Sequence, residues 1–249
     1  MDALSSLDAS FSRLIFDRAA RERLRRQDWS GLDEATRQAL SNTDLDELDR
    51  LGSAVRRGIE TGDLGGMGIR PGFPKTLAAL TARTGDEGAV LDGFLASRHL
   101  REVDGIGRRA GVSMAEAFYD WASEQLQGEA AASCALQHEL AGMLLKTRVH
   151  APVLGFQVRT PLIRVTERGA LCVLDAARPL RDAEDKPEQP FVHACHGGRY
   201  ISGRLSQAVA AVLLQATRSP PAWVTSMLVG VSPGWLERMR GPLIEKGLL

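Results

Sequence analysis

The segment Phe191-Val-His-Ala-Cys-His196 sets two histidines and a cysteine within four positions. Imidazole nitrogens and thiolates are the usual donors to zinc and other transition metals, so His193, Cys195 and His196 are the first candidates for chemistry. On a strand, alternation sends His193 and Cys195 to one face and His196 to the other. A metal site then needs a third ligand from elsewhere. His99, His138 and His150 exist, but their spacing brings none of them near. The His-x-Glu with a later Cys-x-x-Cys that marks zinc deaminases is absent. The expected reading is a strand end with a buried cysteine and partly exposed imidazoles, feeding the Gly197-Gly198 turn. A small enzyme built on this cluster stays open as an alternative.

Two further patterns could carry chemistry. Gly230-Val-Ser-Pro-Gly234 matches GxSxG. A nucleophile elbow needs a strand before the serine and a histidine after it. The last histidine is His196, upstream, so Ser232 reads as a helix cap followed by Pro233 in the first helical turn. The stretch 62–74, with five glycines and two prolines, reads as a loop. It lacks the GK[ST] that a phosphate-binding loop requires.

The elements that must position these residues fall into two textures. Residues 1–150 read as helices and residues 151–249 as strands followed by three helices, with the boundary near 150. Phe11, Leu14, Ile15 and Arg18 open the helical pattern, with Asp8 or Ser10 as cap. Arg21, Arg23, Arg25 and Arg26 give either a solvated face or a docking surface. Thr43 is the expected cap of a second helix that Gly62 stops. Ser113 and Glu116 form a capping box. In the second half, 156–166 and 170–176 alternate like a hairpin, and FVHAC and RYISGRL read as short strands. Residues 180–190 read as a polar loop. Helices are expected at 206–216, 221–229 and 232–246.

Composition bounds the function classes. The chain has 249 residues, 44% hydrophobic and 25% charged, with net charge zero. Residues 1–150 carry 19 Lys and Arg against 23 Asp and Glu, and residues 151–249 carry 12 against 8. That balance is too mild for the strongly basic face of a nucleic-acid binder. No membrane helix and no signal pattern are expected, which points to a cytoplasmic protein. Three scattered cysteines, Cys134, Cys172 and Cys195, form no disulfide framework.

The order of strands followed by three helices, with HGGRYISGRLSQAVAAVLLQA in the third-strand and first-helix position and WLERMRGPLIEKGLL as the last helix, resembles a family of small winged-helix-type domains. These are the recognition elements of ribosomally made, post-translationally modified peptides, typified by the peptide chaperone of the pyrroloquinoline quinone pathway. The resemblance implies that a precursor's leader adds as a strand to the third strand, in a cleft closed by the last helix. The implied peptide-binding residues are Arg199, Tyr200, Ile201, Ser202 and Arg204, with Trp235, Leu236 and Met239 lining the groove, and Ile201 is expected to offer a free edge N–H. Pro242 departs from the pattern and is expected to kink or break the last helix after Arg240.

In the first half, FSRLIFDRAARERL, AVRRGIE, FPKTLAAL, FLASRHLRE and GVSMAEAFYDWASEQL resemble the helical region of partner proteins of multinuclear non-haem iron oxygenases. Those enzymes modify cysteines in peptide natural products of the methanobactin and 3-thiaglutamate type.

The expected fold is therefore α+β, with an all-helical domain over 1–150. A winged-helix-like domain with a small antiparallel sheet and three helices is expected over 151–249. The expected function is that of a non-catalytic partner, without cofactor or metal, that binds a precursor peptide's leader and a multinuclear non-haem iron oxygenase. The alternative is a winged-helix transcription regulator, for which Arg238 and Arg240 are present but Glu237 and Glu245 offset them.

Overall fold

The computed structural model describes residues 14–62, 68–103, 113–150, 163–166, 169–174, 190–196, 198–215, 222–246 and 248–249. The chain forms two compact units, Met1–Trp121 and Ala122–Leu249. The expected caps Asp8 and Ser10, and the polar loop over 180–189, lie outside the described residues.

Every described element of the first unit is helical. Helix α1 (Arg18–Arg25) is capped by Asp17, which accepts from the Ala20 N–H at 3.0 Å. Helix α2 (Glu34–Ser41), which the sequence reading missed, starts on Asp33. The Asp33 carboxylate takes the Thr36 N–H at 2.8 Å, an ordinary cap signal in front of a short amphipathic run. Helix α3 (Leu45–Thr61) is capped by Asp44 rather than by Thr43, and Gly62 closes it at φ 93°. The glycine-rich stretch is not all loop. It holds a one-turn helix, α4 (Ile69–Gly72), and Pro74 opens α5 (Pro74–Thr84), where a missing N–H costs nothing. Helix α6 (Glu87–Leu95) and a 3₁₀ turn (Leu100–Glu102) follow. Helix α7 (Met114–Gln125) starts on the capping box, with Ser113 and Glu116 exchanging hydrogen bonds at 3.2 Å.

The first unit's core is aromatic at its centre. Phe73, Phe94 and Phe118 are fully buried, and Trp121 packs on Phe94 and Phe118 with centroids 5.7 and 5.6 Å away. A second cluster joins Leu14, Ala20, Leu24, Leu40 and Leu48. Beside it Arg21 is buried, donating to the Leu14 and Ile15 carbonyls at 2.6 and 2.9 Å and to Asp49 at 2.5 Å. Gly52 admits that guanidinium, since a Cβ there would stand 3.0 Å from its Nη1 and 2.7 Å from the Ile15 carbonyl oxygen.

The second unit is a four-stranded antiparallel meander in the order β1-β2-β3-β4 with helices on both faces. Its elements are α8 (Ala130–His150), β1 (Arg164–Thr166), β2 (Gly169–Leu174), β3 (Phe191–His196) and β4 (Arg199–Arg204), then α9 (Gln207–Gln215), α10 (Ala222–Val229) and α11 (Pro233–Glu245). One face of the sheet presents Leu171, Val192 and Ala194 to Val212 and Leu213 of α9, and to Leu243 and Leu248. Ala211 and Leu214 then carry α10 through Val224. The other face, with Cys172, His193 and Cys195, meets α8. Fully burying an aliphatic side chain contributes roughly 1.5–3 kcal/mol, so α9 and α11 are held mainly by their leucines and valines.

Two sequence expectations change here. Pro242 does not break the last helix, which runs through to Glu245. Leu243 and Leu248 bury on either side of the helix end, and the Leu248 N–H closes on the Leu243 carbonyl at 2.8 Å. That burial outweighs the one hydrogen bond proline forfeits. The division between compact units falls at 121/122, inside α7, rather than near 150, and α8 groups with the strands because it covers a sheet face.

The place of α8 yields a test. The segment 122–249, excised, should unfold cooperatively by circular dichroism, whereas 151–249, stripped of α8, should lose that transition because one sheet face stands bare. Equal cooperativity in the two fragments would contradict this assignment.

Candidate functional site

Strand β4 is an edge: among the described residues nothing pairs on its outer side. The β3–β4 hairpin closes through the two residues 197–198, with His196 opposite Arg199 and Gly198 at φ 73°. A two-residue hairpin makes its closing pair hydrogen-bonded, and antiparallel pairs then alternate. Arg199, Ile201 and Gly203 therefore direct their amides to β3, and the Leu205 N–H continues the series onto the Pro190 carbonyl at 2.8 Å. Tyr200, Ser202 and Arg204 direct theirs outward. The expected free N–H is that of Ile201. The register corrects this, since the Ile201 amide belongs to the ladder and its neighbours form the open edge. Arg199, Ser202 and Arg204 are exposed, and Ile201 remains 41% exposed although it shares a face with the buried Ala194.

The residues with outward amides are also anchored from beneath. Tyr200 and Ser202 point to the α8 side of the sheet, where the Tyr200 hydroxyl lies 2.7 Å from His193 Nδ1. His193 Nε2 in turn lies 2.9 Å from His138 Nδ1 on α8. Gly142, one turn further along α8, faces the phenol, whose oxygen would stand 3.4 Å from a Cβ there, an ordinary contact. The Lys146 ammonium sits 5.3 Å over the Tyr200 ring. His138, Gly142 and Lys146 follow at four-residue spacing, the stripe a helix presents to a sheet. The chain of hydrogen bonds can run in either sense, because each imidazole can donate from one nitrogen and accept at the other.

Burial sets the charge state of this chain. His193 is 6% exposed, and its pKa is driven down to about 4, first by desolvation and then by His138 and Lys146. Burial pushes the Tyr200 phenol up, while the Ser202 hydroxyl opposes that by hydrogen-bonding it. The Cys172 thiol, opposite His193 on β2, is pushed up to about 12 by burial. The His193 imidazole is therefore neutral near pH 7, and Cys172 supplies no thiolate nucleophile.

His193 is thus fully enclosed rather than partly exposed, and His138, which spacing alone did not bring near, is its partner. One signal was present in the sequence: a histidine at three-residue spacing from Ala135 and Ala141, on the apolar face of α8, where a buried polar group requires a hydrogen bond. His196 turns to the opposite face, as alternation requires. Among the described residues no group of three or more His, Cys, Asp or Glu is placed to hold a metal ion. Ser232 accepts from the Trp235 N–H at 3.3 Å and caps α11.

Trp235 and Leu236 are half-buried against the cluster that includes Val192 and Ala194, and Met239 is half-buried one turn further along α11. The four arginines 21, 23, 25 and 26 split in role: Arg21 is buried, Arg25 binds Asp46 and Asp49 at 2.9 and 2.5 Å, and Arg23 and Arg26 are exposed.

The depressed His193 pKa predicts acid sensitivity, with His138 and Lys146 from α8, Tyr200 from β4 and Cys172 from β2 facing the group. The unfolded chain takes up this proton near pH 6.5 and the folded chain only near 4. Stability is therefore complete above about pH 6.5 and falls as the pH drops towards 4, by about 2 kcal/mol at pH 5. In urea titrations, His193→Gln should cost stability at pH 7.5 and close most of the gap to wild type at pH 5. An unchanged gap would contradict the assignment.

The chain matches no protein-family model, and no curated protein or solved structure is significantly similar to it.

Proposed function

We propose that the chain is a non-catalytic peptide-binding partner. It captures the leader of a ribosomally made precursor as an added strand on β4, and presents the peptide to a multinuclear non-haem iron oxygenase. The observation that carries the reading is the open β4 edge. Three backbone amide groups, on Tyr200, Ser202 and Arg204, face outward on a six-residue strand that also exposes the apolar Ile201. An exposed edge of this kind is a template for another strand, and native proteins usually blunt or cover it. Main-chain hydrogen bonds supply affinity in such additions, and flanking side chains supply selectivity.

Support also comes from the elements after the edge. The meander, the three helices and the close of α11 onto the sheet face follow the order of winged-helix-type recognition elements. Trp235, Leu236 and Met239 on α11 are the groove side in that reading. In it, the helical first unit docks the enzyme. A winged-helix regulator would instead offer α11 to DNA, where Arg238 and Arg240 are exposed beside Glu237.

Proline scanning tests the edge. Ser202→Pro removes an outward N–H and leaves the inner ladder intact, a position proline tolerates on an edge strand. It should weaken leader-peptide binding at least tenfold, roughly 1.4 kcal/mol, with little change in Tm. Ile201→Pro removes a ladder hydrogen bond and should lower Tm as well. Ser202→Ala, which keeps the amide, controls for the hydroxyl. Trp235→Ala should weaken binding by a similar factor but also lower Tm, since the indole is half in the core. Unaltered peptide affinity in Ser202→Pro, or salt-sensitive DNA binding with no affinity for any peptide, would overturn the reading.

A further inference from the structure

The side chains of β4 constrain what an added strand can be. Arg199 and Arg204 stand at its two ends, both exposed, and no carboxylate pairs with either among the described residues. They are five residues apart, roughly 17 Å along an extended chain, and alternation turns them to opposite faces. Between them the pattern is uneven. On the face shared with Ala194 and the C-terminal helices, Ile201 is exposed and Gly203 has open space where a side chain would begin. On the α8 face, Tyr200 and Ser202 carry hydroxyls already tied to the buried imidazole chain.

Pairing parity sharpens this. A strand added antiparallel to β4 makes its hydrogen-bonded pairs with Tyr200, Ser202 and Arg204. Its non-hydrogen-bonded pairs, where side chains approach most closely, fall at Arg199, Ile201 and Gly203. The incoming residue opposite Ile201 therefore meets an apolar side chain. The residue opposite Gly203 meets bare backbone and can lay a large side chain across it.

We propose that the β4 edge selects an acidic extended segment: two carboxylates five residues apart, one opposite Arg199 and one opposite Arg204, enclosing two apolar residues spaced by two. This specificity rests on the strand-addition reading and adds the chemistry of the occupant. The pair classes hold for antiparallel addition, while the charge spacing alone carries over to a parallel strand, since reversing the peptide keeps both spacings. Arginine recognises carboxylates through a planar fork of donors, and an exposed pair contributes modestly, so the two ends discriminate rather than hold.

Synthetic peptides test it on the full chain. The acidic probes carry Glu-Leu-Thr-Val-Thr-Glu and its reverse, Glu-Thr-Val-Thr-Leu-Glu, between neutral flanks. The basic probes replace both Glu by Lys. Fluorescence anisotropy in low salt should show the better acidic probe binding at least tenfold more tightly than its basic counterpart. The difference should shrink when 0.5 M salt is added. The double variant Arg199→Glu and Arg204→Glu should reverse the preference, which a folding defect would not do. Acidic and basic probes binding equally, with Ser202→Pro abolishing both, would overturn the acidic specificity and leave strand addition standing. No binding by any probe or by a leader peptide would overturn strand addition itself.

Discussion

The two-residue closure of the β3–β4 hairpin fixes the parity of everything around it. With His196 opposite Arg199, the inner ladder takes the amides of Arg199, Ile201 and Gly203 and leaves those of Tyr200, Ser202 and Arg204 to the edge. The same parity turns Tyr200 and Ser202 towards α8 and Ile201 towards the C-terminal helices. A slip of one residue would exchange both sets, exposing the phenol and driving Ile201 into a polar site. Gly198, in the left-handed region, lets the turn close in two residues.

The buried hydrogen-bond chain reinforces that register. His138 Nδ1, both nitrogens of His193 and the Tyr200 hydroxyl are linked across α8, β3 and β4, at 2.9 and 2.7 Å. A buried imidazole without a partner costs about 1–3 kcal/mol, so misplacing β4 would be penalised twice: through lost packing and through stranded polar atoms. The chain thus ties the strand with the free edge to a helix on the far side of the sheet. Apolar packing alone, on the opposite face, would hold the sheet but would specify the position of β4 less sharply.

The element order was largely legible in the sequence, because period-two alternation and glycine turns mark the strands, and caps such as Ser113 and Ser232 mark helices locally. The fold class, mixed helix and antiparallel sheet, follows from those signals. Harder to read were features that depend on distance. The partnership of His138 with His193 links residues 55 apart in sequence. Nothing local reveals it beyond a histidine on the apolar face of a helix. The membership of α8 in the second unit was hidden for the same reason: a change of texture near 150 marks where strands begin, not which helix covers them. At Pro242 the local propensity against helix is outweighed by the burial of Leu243 and Leu248, which lies outside any local signal. The free amides were assignable in principle, since hairpin length sets the parity, but only once the strand ends were fixed to the residue.

Amide hydrogen exchange at β4, read residue by residue by NMR, tests the central claim most directly. In the free protein, the Ile201 and Gly203 amides should exchange slowly, and those of Tyr200, Ser202 and Arg204 quickly. Saturation with a leader or acidic probe peptide should slow those three and leave the others unchanged. Protection that falls instead on a surface away from β4, or peptide binding with no change in these three amides, would contradict capture at this edge.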